Sequence, residues 1–154
     1  MLLEVFYYHS QISKFGKQNN MKEYIYSLEM QVRDYELDSE GIVNNANYLH
    51  YLEHTRHSFC SENGISFAEM QNRGIIPVLN KVEIEYKEPL RSGDVFDSKL
   101  WLERKGVRFV FHQDLFKKNG RQVVKAVVSC VCLENGRLDR GETLAEIFKN
   151  FLSK

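Results

Sequence analysis

Val32-Arg33-Asp34-Tyr35-Glu36-Leu37-Asp38-Ser39-Glu40-Gly41-Ile42-Val43-Asn44-Asn45-Ala46-Asn47-Tyr48 decides the fold, because the hydrophobic period changes across it. From Glu23 to Arg33, Tyr24, Tyr26, Leu28, Met30 and Val32 alternate with Ser27, Glu29, Gln31 and Arg33. A period of two marks a half-buried strand. Beyond the stretch, Tyr48, Leu49, Leu52, Thr55, Phe59 and Cys60 recur at helical spacing. Asn44 or Asn45 can cap the start of that helix by accepting from its free amides. Asn63-Gly64 ends it, since glycine takes the left-handed backbone of a C′ position at little cost. Between strand and helix, Gly41 lets the polar chain double back, and Asp38 stands seven residues before Asn45.

Farther along, Ser66 and Glu69 are spaced as a capping box for a short helix over 66–73. Ile76, Val78, Val82, Ile84 and Tyr86 then alternate with Lys81, Glu83, Glu85 and Lys87. Pro89 to Asp94 breaks the run and forms a connection. Strands are expected over 95–105 and 107–118, meeting at Lys105-Gly106. Asn119-Gly120 and Asn135-Gly136 read as two-residue hairpins with positive φ at both positions. Between them, Gln122 to Leu133 is apolar enough for a strand buried on both faces. A terminal helix is expected within 143–152. The whole predicts an α+β fold, a five-stranded antiparallel sheet wrapped around one long central helix. One helix covers one face only, so the other face and the sheet edges call for a second copy.

The chain has 154 residues, the size of one domain, and its 21 Lys+Arg balance 21 Asp+Glu. A neutral surface argues against nucleic acid, which is gripped by a basic face. Three cysteines without C-x-x-C spacing suit neither a disulfide framework nor a zinc site, and Cys60, Cys130 and Cys132 are expected to be buried hydrophobes. No run reaches the about 18 apolar residues of a membrane span. Glu4 interrupts the apolar start and no cleavage signal follows, which points to a cytoplasmic protein. Residues 1–20 are expected to be an extension and 21–154 the domain.

Unpaired amides at a helix start attract an anion, with the macrodipole adding about half a positive charge. Acyl transfer develops such an anion on the carbonyl oxygen, and one aimed donor contributes roughly 3–4 kcal/mol there. A carboxylate beside it can attack the carbonyl or take a proton from water. On bare chemistry Asp34, Glu36 and Glu40 are as eligible as Asp38, and an aspartate before a helix is ordinarily a turn residue. His54 and His57 lack the H-E-x-x-H spacing of a metal pair and read as surface or interface residues. His112, mid-strand, reads as a packed residue. Arg104, Lys105 and Arg108 flank one turn and Lys117, Lys118 and Arg121 another; solvated turns are the default, phosphate binding the alternative. Phe59, Trp101, Phe109 and Phe111 read as core, and they are also the set from which an acyl tunnel would be drawn.

The quoted stretch resembles the signature of the 4-hydroxybenzoyl-CoA thioesterase family of hot-dog proteins, V-R-x-x-D/E-x-D-x-x-G-x-V-x-x-x-x-Y, through Val32, Arg33, Glu36, Asp38, Gly41, Val43 and Tyr48. Val-Arg-Asp-Tyr-Glu-Leu-Asp, the following Val-Asn-Asn-Ala and the Pro89–Asp94 turn are similar to plant plastid acyl-lipid thioesterases. The resemblance covers about residues 23–140 and implies hydrolysis of an acyl-CoA or acyl carrier protein thioester. It makes Asp38 the catalytic carboxylate and Asn45 the donor of the carbonyl-polarising N–H. Gly41, Val43, Asn47 and Tyr48 would bind substrate. It further implies a homodimer or homotetramer and no metal or redox cofactor. Some bacterial members carry histidine where Asn45 stands, and plant enzymes carry it where Ile42 stands, so a local histidine base is not expected. The alternatives are a hot-dog hydroxyacyl-thioester dehydratase or hydratase, or a non-catalytic acyl-thioester-binding protein.

Overall fold

The computed structural model describes residues 23–153, so the boundary expected between an extension and a domain lies outside them. Strand β1 is Tyr26–Gln31, helix α1 Asn45–Glu62 and helix α2 Phe67–Asn72. Strands β2 (Ile75–Tyr86), β3 (Val95–Lys105), β4 (Arg108–Lys117), β5 (Gln122–Glu134) and β6 (Arg137–Asp139) follow, then helix α3 (Glu142–Phe148). Five long strands make the expected antiparallel sheet in the order β1-β3-β4-β5-β2, and short β6 pairs with the end of β5.

Cross-strand pairing puts Leu102, Phe111 and Val128 in one row and Leu100, Gln113 and Ala126 in the next. These residues form the curled sheet's inner face, all nearly or fully buried. Helix α1 lies on that face. Tyr51 packs on Phe96 with ring centroids 5.0 Å apart. Two polar links set the helix's height. Thr55 Oγ1 lies 2.7 Å from Ser98 Oγ, and Gln113 donates to the Leu52 carbonyl at 2.9 Å. Such links contribute about 1 kcal/mol each, whereas an unpaired Gln113 would cost more.

Because β2 sits at one sheet edge and β3 beside the other, residues 87–94 must cross between them. They pass below the start of α1. Lys87 N–H donates to Val123 O at 2.8 Å, Val43 N–H to Leu90 O at 2.9 Å, and Val32 N–H to Asp94 O at 3.0 Å. Leu90 is wholly buried there. The crossover thereby fixes the segment 32–43 relative to the helix.

The hairpins differ. Asn135 (φ 50°) and Gly136 (φ 78°) are both left-handed, as expected. Of Asn119 and Gly120, only Gly120 is, with φ 84°. Here Gly120 N–H closes on Lys117 O at 2.8 Å, and the register shifts between Leu115 and Phe116. Asn119 Oδ1 instead accepts from Arg121 N at 3.0 Å, and the glycine absorbs the extra residue of a bulged turn. The terminal helix is shorter than expected, since the chain leaves it to pair Leu152 with Leu102. Among the described residues no helix is long and apolar enough to cross a membrane, and the outer edge of β2 has no strand partner.

Gly141 precedes α3 at φ 77°, and a Cβ there would lie 2.8 Å from Phe109 Cε2. Gly141→Ala is therefore expected to lower the urea-unfolding free energy by about 2 kcal/mol, through left-handed strain and crowding together.

Candidate active site

After a 3₁₀ turn at Asp34–Glu36, Leu37 bridges Val43 in antiparallel fashion. The result is a small hairpin with Asp38 at its head. Asp38 N–H donates to Ile42 O at 2.8 Å and Gly41 N–H to Asp38 O at 3.1 Å. Gly41 is left-handed at φ 72° and exposed, so its role is to turn the chain. The half-buried Asp38 carboxylate divides its two oxygens. Oδ1 accepts from Glu40 N at 2.8 Å and Ile42 N at 3.4 Å. Oδ2 has no hydrogen-bond partner among the described residues. The turn-forming role and the reactive role are thus compatible: one oxygen holds the loop and the other stays open.

At the helix start, Asn44 Oδ1 accepts from Ala46 N at 2.9 Å, and Asn47 N–H donates to Asn44 O at 2.9 Å. The N–H of Asn45, the first helical residue, has no partner among the described residues and is exposed. Asn45 is the residue whose N–H the family resemblance expects to polarise a carbonyl.

Glu36 ties loop and helix together. Only 9% exposed, its carboxylate accepts from Arg33 N at 2.8 Å and Tyr51 Oη at 2.6 Å. Its carbonyl accepts from Asn44 N at 3.0 Å and Asn47 Nδ2 at 2.7 Å. The Asn47 side chain is therefore engaged in holding the backbone. Tyr48 is buried, and its hydroxyl accepts from Leu90 N at 3.1 Å. Burial raises the pKa of that hydroxyl, and Tyr86, Asp94 and Asp38 add to the rise against the lowering effect of the Leu90 bond. Val43, 1% exposed, packs with Tyr48 and Leu90 and serves as frame.

Tyr86, at the far end of β2, donates to Asn45 O at 3.2 Å and packs edge-on against Tyr48 at 5.3 Å. It joins the site across 41 residues of chain, a proximity that no local pattern announces. From there α1 and β2 run antiparallel with a groove between them. A cavity of about 230 Å³ is lined by Leu49, Leu52, Leu79 and Val82. A larger one of about 440 Å³ follows toward the C-terminal half of α1, with Phe67, Phe109, Phe111 and Phe148 in its walls. This apolar-walled space is therefore displaced from Asp38 along the helix. Phe109 and Phe111 face this space. Trp101 does not: it stacks on His112 at 3.7 Å across the sheet's other face.

Most of the remaining candidates are packed or paired. His112 Nε2 lies 2.6 Å from Glu103 Oε1. His57 borders the larger cavity and packs on Phe67 at 4.9 Å, while His54 is exposed. Arg104 pairs with Glu142, Lys105 with Glu103, Lys117 with Asp94, Lys118 with Asp97 and Glu29, and Arg121 with Glu88. Both basic clusters are therefore largely neutralised by the chain's own acids. All three cysteines are buried. Burial pushes the Cys60 thiol up to about 12 and raises Cys130 and Cys132 too, which removes them as nucleophiles near neutral pH.

One sheet curled about a single long helix, with an acid loop at the helix start, defines the hot-dog class. The chain belongs to the Thioesterase-like superfamily, whose family model matches residues 32–150. It is 38% identical over 112 residues to the acyl-acyl carrier protein thioesterase ATL2, chloroplastic, of Arabidopsis thaliana, covering 71% of this chain and 60% of that protein. The related ATL3 is 36% identical over 112 residues, with 71% and 59% covered. The chain thus matches only about three-fifths of the length of these plant relatives. A hypothetical protein of Aquifex aeolicus superposes with a TM-score of 0.73 at 31% identity, covering 79% of this chain and 98% of that one.

Tyr51→Phe removes the hydroxyl donor from the buried Glu36 carboxylate. The expected outcome is a loss of about 1–3 kcal/mol in urea unfolding, with no change in the sheet's far-ultraviolet signature.

Proposed function

We propose that the protein hydrolyses acyl thioesters of coenzyme A or acyl carrier protein to a free acid and a thiol. The observation that carries this reading is the division of labour at the helix start: one Asp38 oxygen held by Glu40 and Ile42 amides, while the other oxygen and the Asn45 N–H that begins the helix have no partner among the described residues. The Asn45 N–H donates to the carbonyl oxygen as negative charge builds there, where a preorganised donor acts most strongly. Asp38 Oδ2 takes a proton from water as that water adds to the carbonyl carbon. The C–S bond then breaks and the thiolate leaves with the proton. Alternatively, Oδ2 adds directly, the thiolate leaves, and water hydrolyses the resulting anhydride. When water opens that anhydride at the Asp38 carbonyl, the first-turnover product formed in heavy-oxygen water carries an unlabelled oxygen from Asp38, a result that only direct attack gives.

Glu36, Val43, Asn47 and Tyr48 hold this geometry, and Gly41 and Tyr86 complete its rim. Among the described residues no histidine of α1 is hydrogen-bonded or ion-paired to an acid, which favours hydrolysis over the hydration chemistry that pairs a histidine with an acid. The unpaired edge of β2, with Ile76 and Leu79 exposed on that strand, supports assembly as a homodimer, or as a homotetramer built from such pairs.

Thiol release from a panel of acyl-CoA and acyl carrier protein thioesters tests the reading. Asp38→Asn keeps the shape and the Oδ1 bonds but removes the charge, and turnover should fall at least ~10²-fold. Full turnover by a folded variant would reject Asp38 as the catalytic residue.

A further inference from the structure

Arg56 stands where the two apolar spaces along α1 join, lining both together with Glu53 and Leu79. Its setting is unusual for a cation. Val78, Phe109, Phe111 and Cys130 make up much of the wall around it. Its Nη1 donates to Gln113 Oε1 at 2.8 Å. Gln113 is itself fully buried and locked by its bond to the Leu52 carbonyl. The guanidinium is thus held in place by a neutral group. Among the described residues no carboxylate pairs with it at salt-bridge distance. Glu53, one turn earlier and exposed, and the Cys130 and Cys60 thiols act on it only at longer range, while burial lowers its pKa. A guanidinium carries five N–H donors, so most of them remain available to whatever enters the groove.

An unbranched hydrocarbon drawn past this group would displace its water and return no hydrogen bond, which is unfavourable for a charged donor. An oxygen at the same place would satisfy it. Arg56 follows Asn45 by eleven residues, about 16 Å along the helix axis. The oxygen in question therefore sits far down the acyl chain, well separated from the thioester.

We propose that Arg56 is a specificity-determining residue which receives an oxygen function, carboxylate or hydroxyl, on the distal part of a long acyl chain. This rests on the thioesterase reading above. A site built to bond a polar substituent discriminates strongly against the analogue that lacks it.

The test compares lauroyl-CoA, ω-hydroxylauroyl-CoA and the CoA monothioester of dodecanedioic acid as substrates of the wild type, Arg56→Met and Arg56→Lys. In the wild type at least one oxygenated chain should exceed lauroyl in kcat/KM by about tenfold or more, mainly through KM. Arg56→Met should abolish or invert that ratio while lauroyl turnover persists. Arg56→Lys, which keeps the charge, should retain the preference for a carboxylate but not for a hydroxyl. A wild type that favours lauroyl or treats all three alike overturns the proposal, as does an Arg56→Met variant that keeps the wild-type ratio. The wild-type ratio decides alone if Arg56→Met fails to fold. Hydrolysis of lauroyl-CoA without the preference sinks this inference only, whereas no thiol release from any thioester in the panel sinks the thioesterase reading with it.

Discussion

The carboxylate of Glu36 is the tie on which the site depends. A carboxylate removed from water costs several kcal/mol unless it is hydrogen-bonded, and here a backbone amide and the Tyr51 hydroxyl both donate to its Oε2. The same residue's carbonyl takes two more donors from the beginning of α1. Those bonds can form together only when the 3₁₀ turn lies against the helix's first two turns. Satisfying one buried charge thereby sets the distance between the Asp38 hairpin and the open amide of Asn45. The crossover at Leu90 closes the arrangement from below through Val43 and Tyr48.

This frame explains how a residue with the features of an ordinary turn aspartate can be reactive. An Asp bonding to amides two and four residues on is a common device for reversing the chain. The role proposed for it requires that those bonds engage Oδ1 alone, beside the start of α1. The three thiols and the paired basic clusters offer no comparable arrangement. They are buried with raised pKa values in the first case and bonded to local acids in the second.

Much of the fold was legible because periodicity is local. The alternation through β1 and β2, the helical spacing of α1 and the Asn135-Gly136 turn each follow from neighbouring residues. The Asn119-Gly120 turn escaped because its form depends on how the flanking strands pair, and their register shifts by one residue at Val123, opposite Leu115 and Phe116. Ser66 caps α2 by accepting from Glu69 N at 3.2 Å, as its spacing indicated. Within the site, Asp38 stood out from Asp34, Glu36 and Glu40 by family resemblance alone. Bare chemistry left them equal; in the fold Glu36 is buried, Asp38 half-buried, and Asp34 and Glu40 are exposed. Tyr86, Leu90 and Arg56 were not legible. Their roles arise from contacts across the sheet or the crossover, which carry no signature in the surrounding sequence.

A structure of the protein with a coenzyme A ketone, in which a methylene replaces the thioester sulfur, addresses the proposed chemistry most directly. The ketone oxygen should lie about 3 Å from the Asn45 amide nitrogen, with Asp38 Oδ2 facing the carbonyl carbon directly or through one water. A carbonyl bound elsewhere, with the Asn45 N–H still facing solvent, would contradict the account.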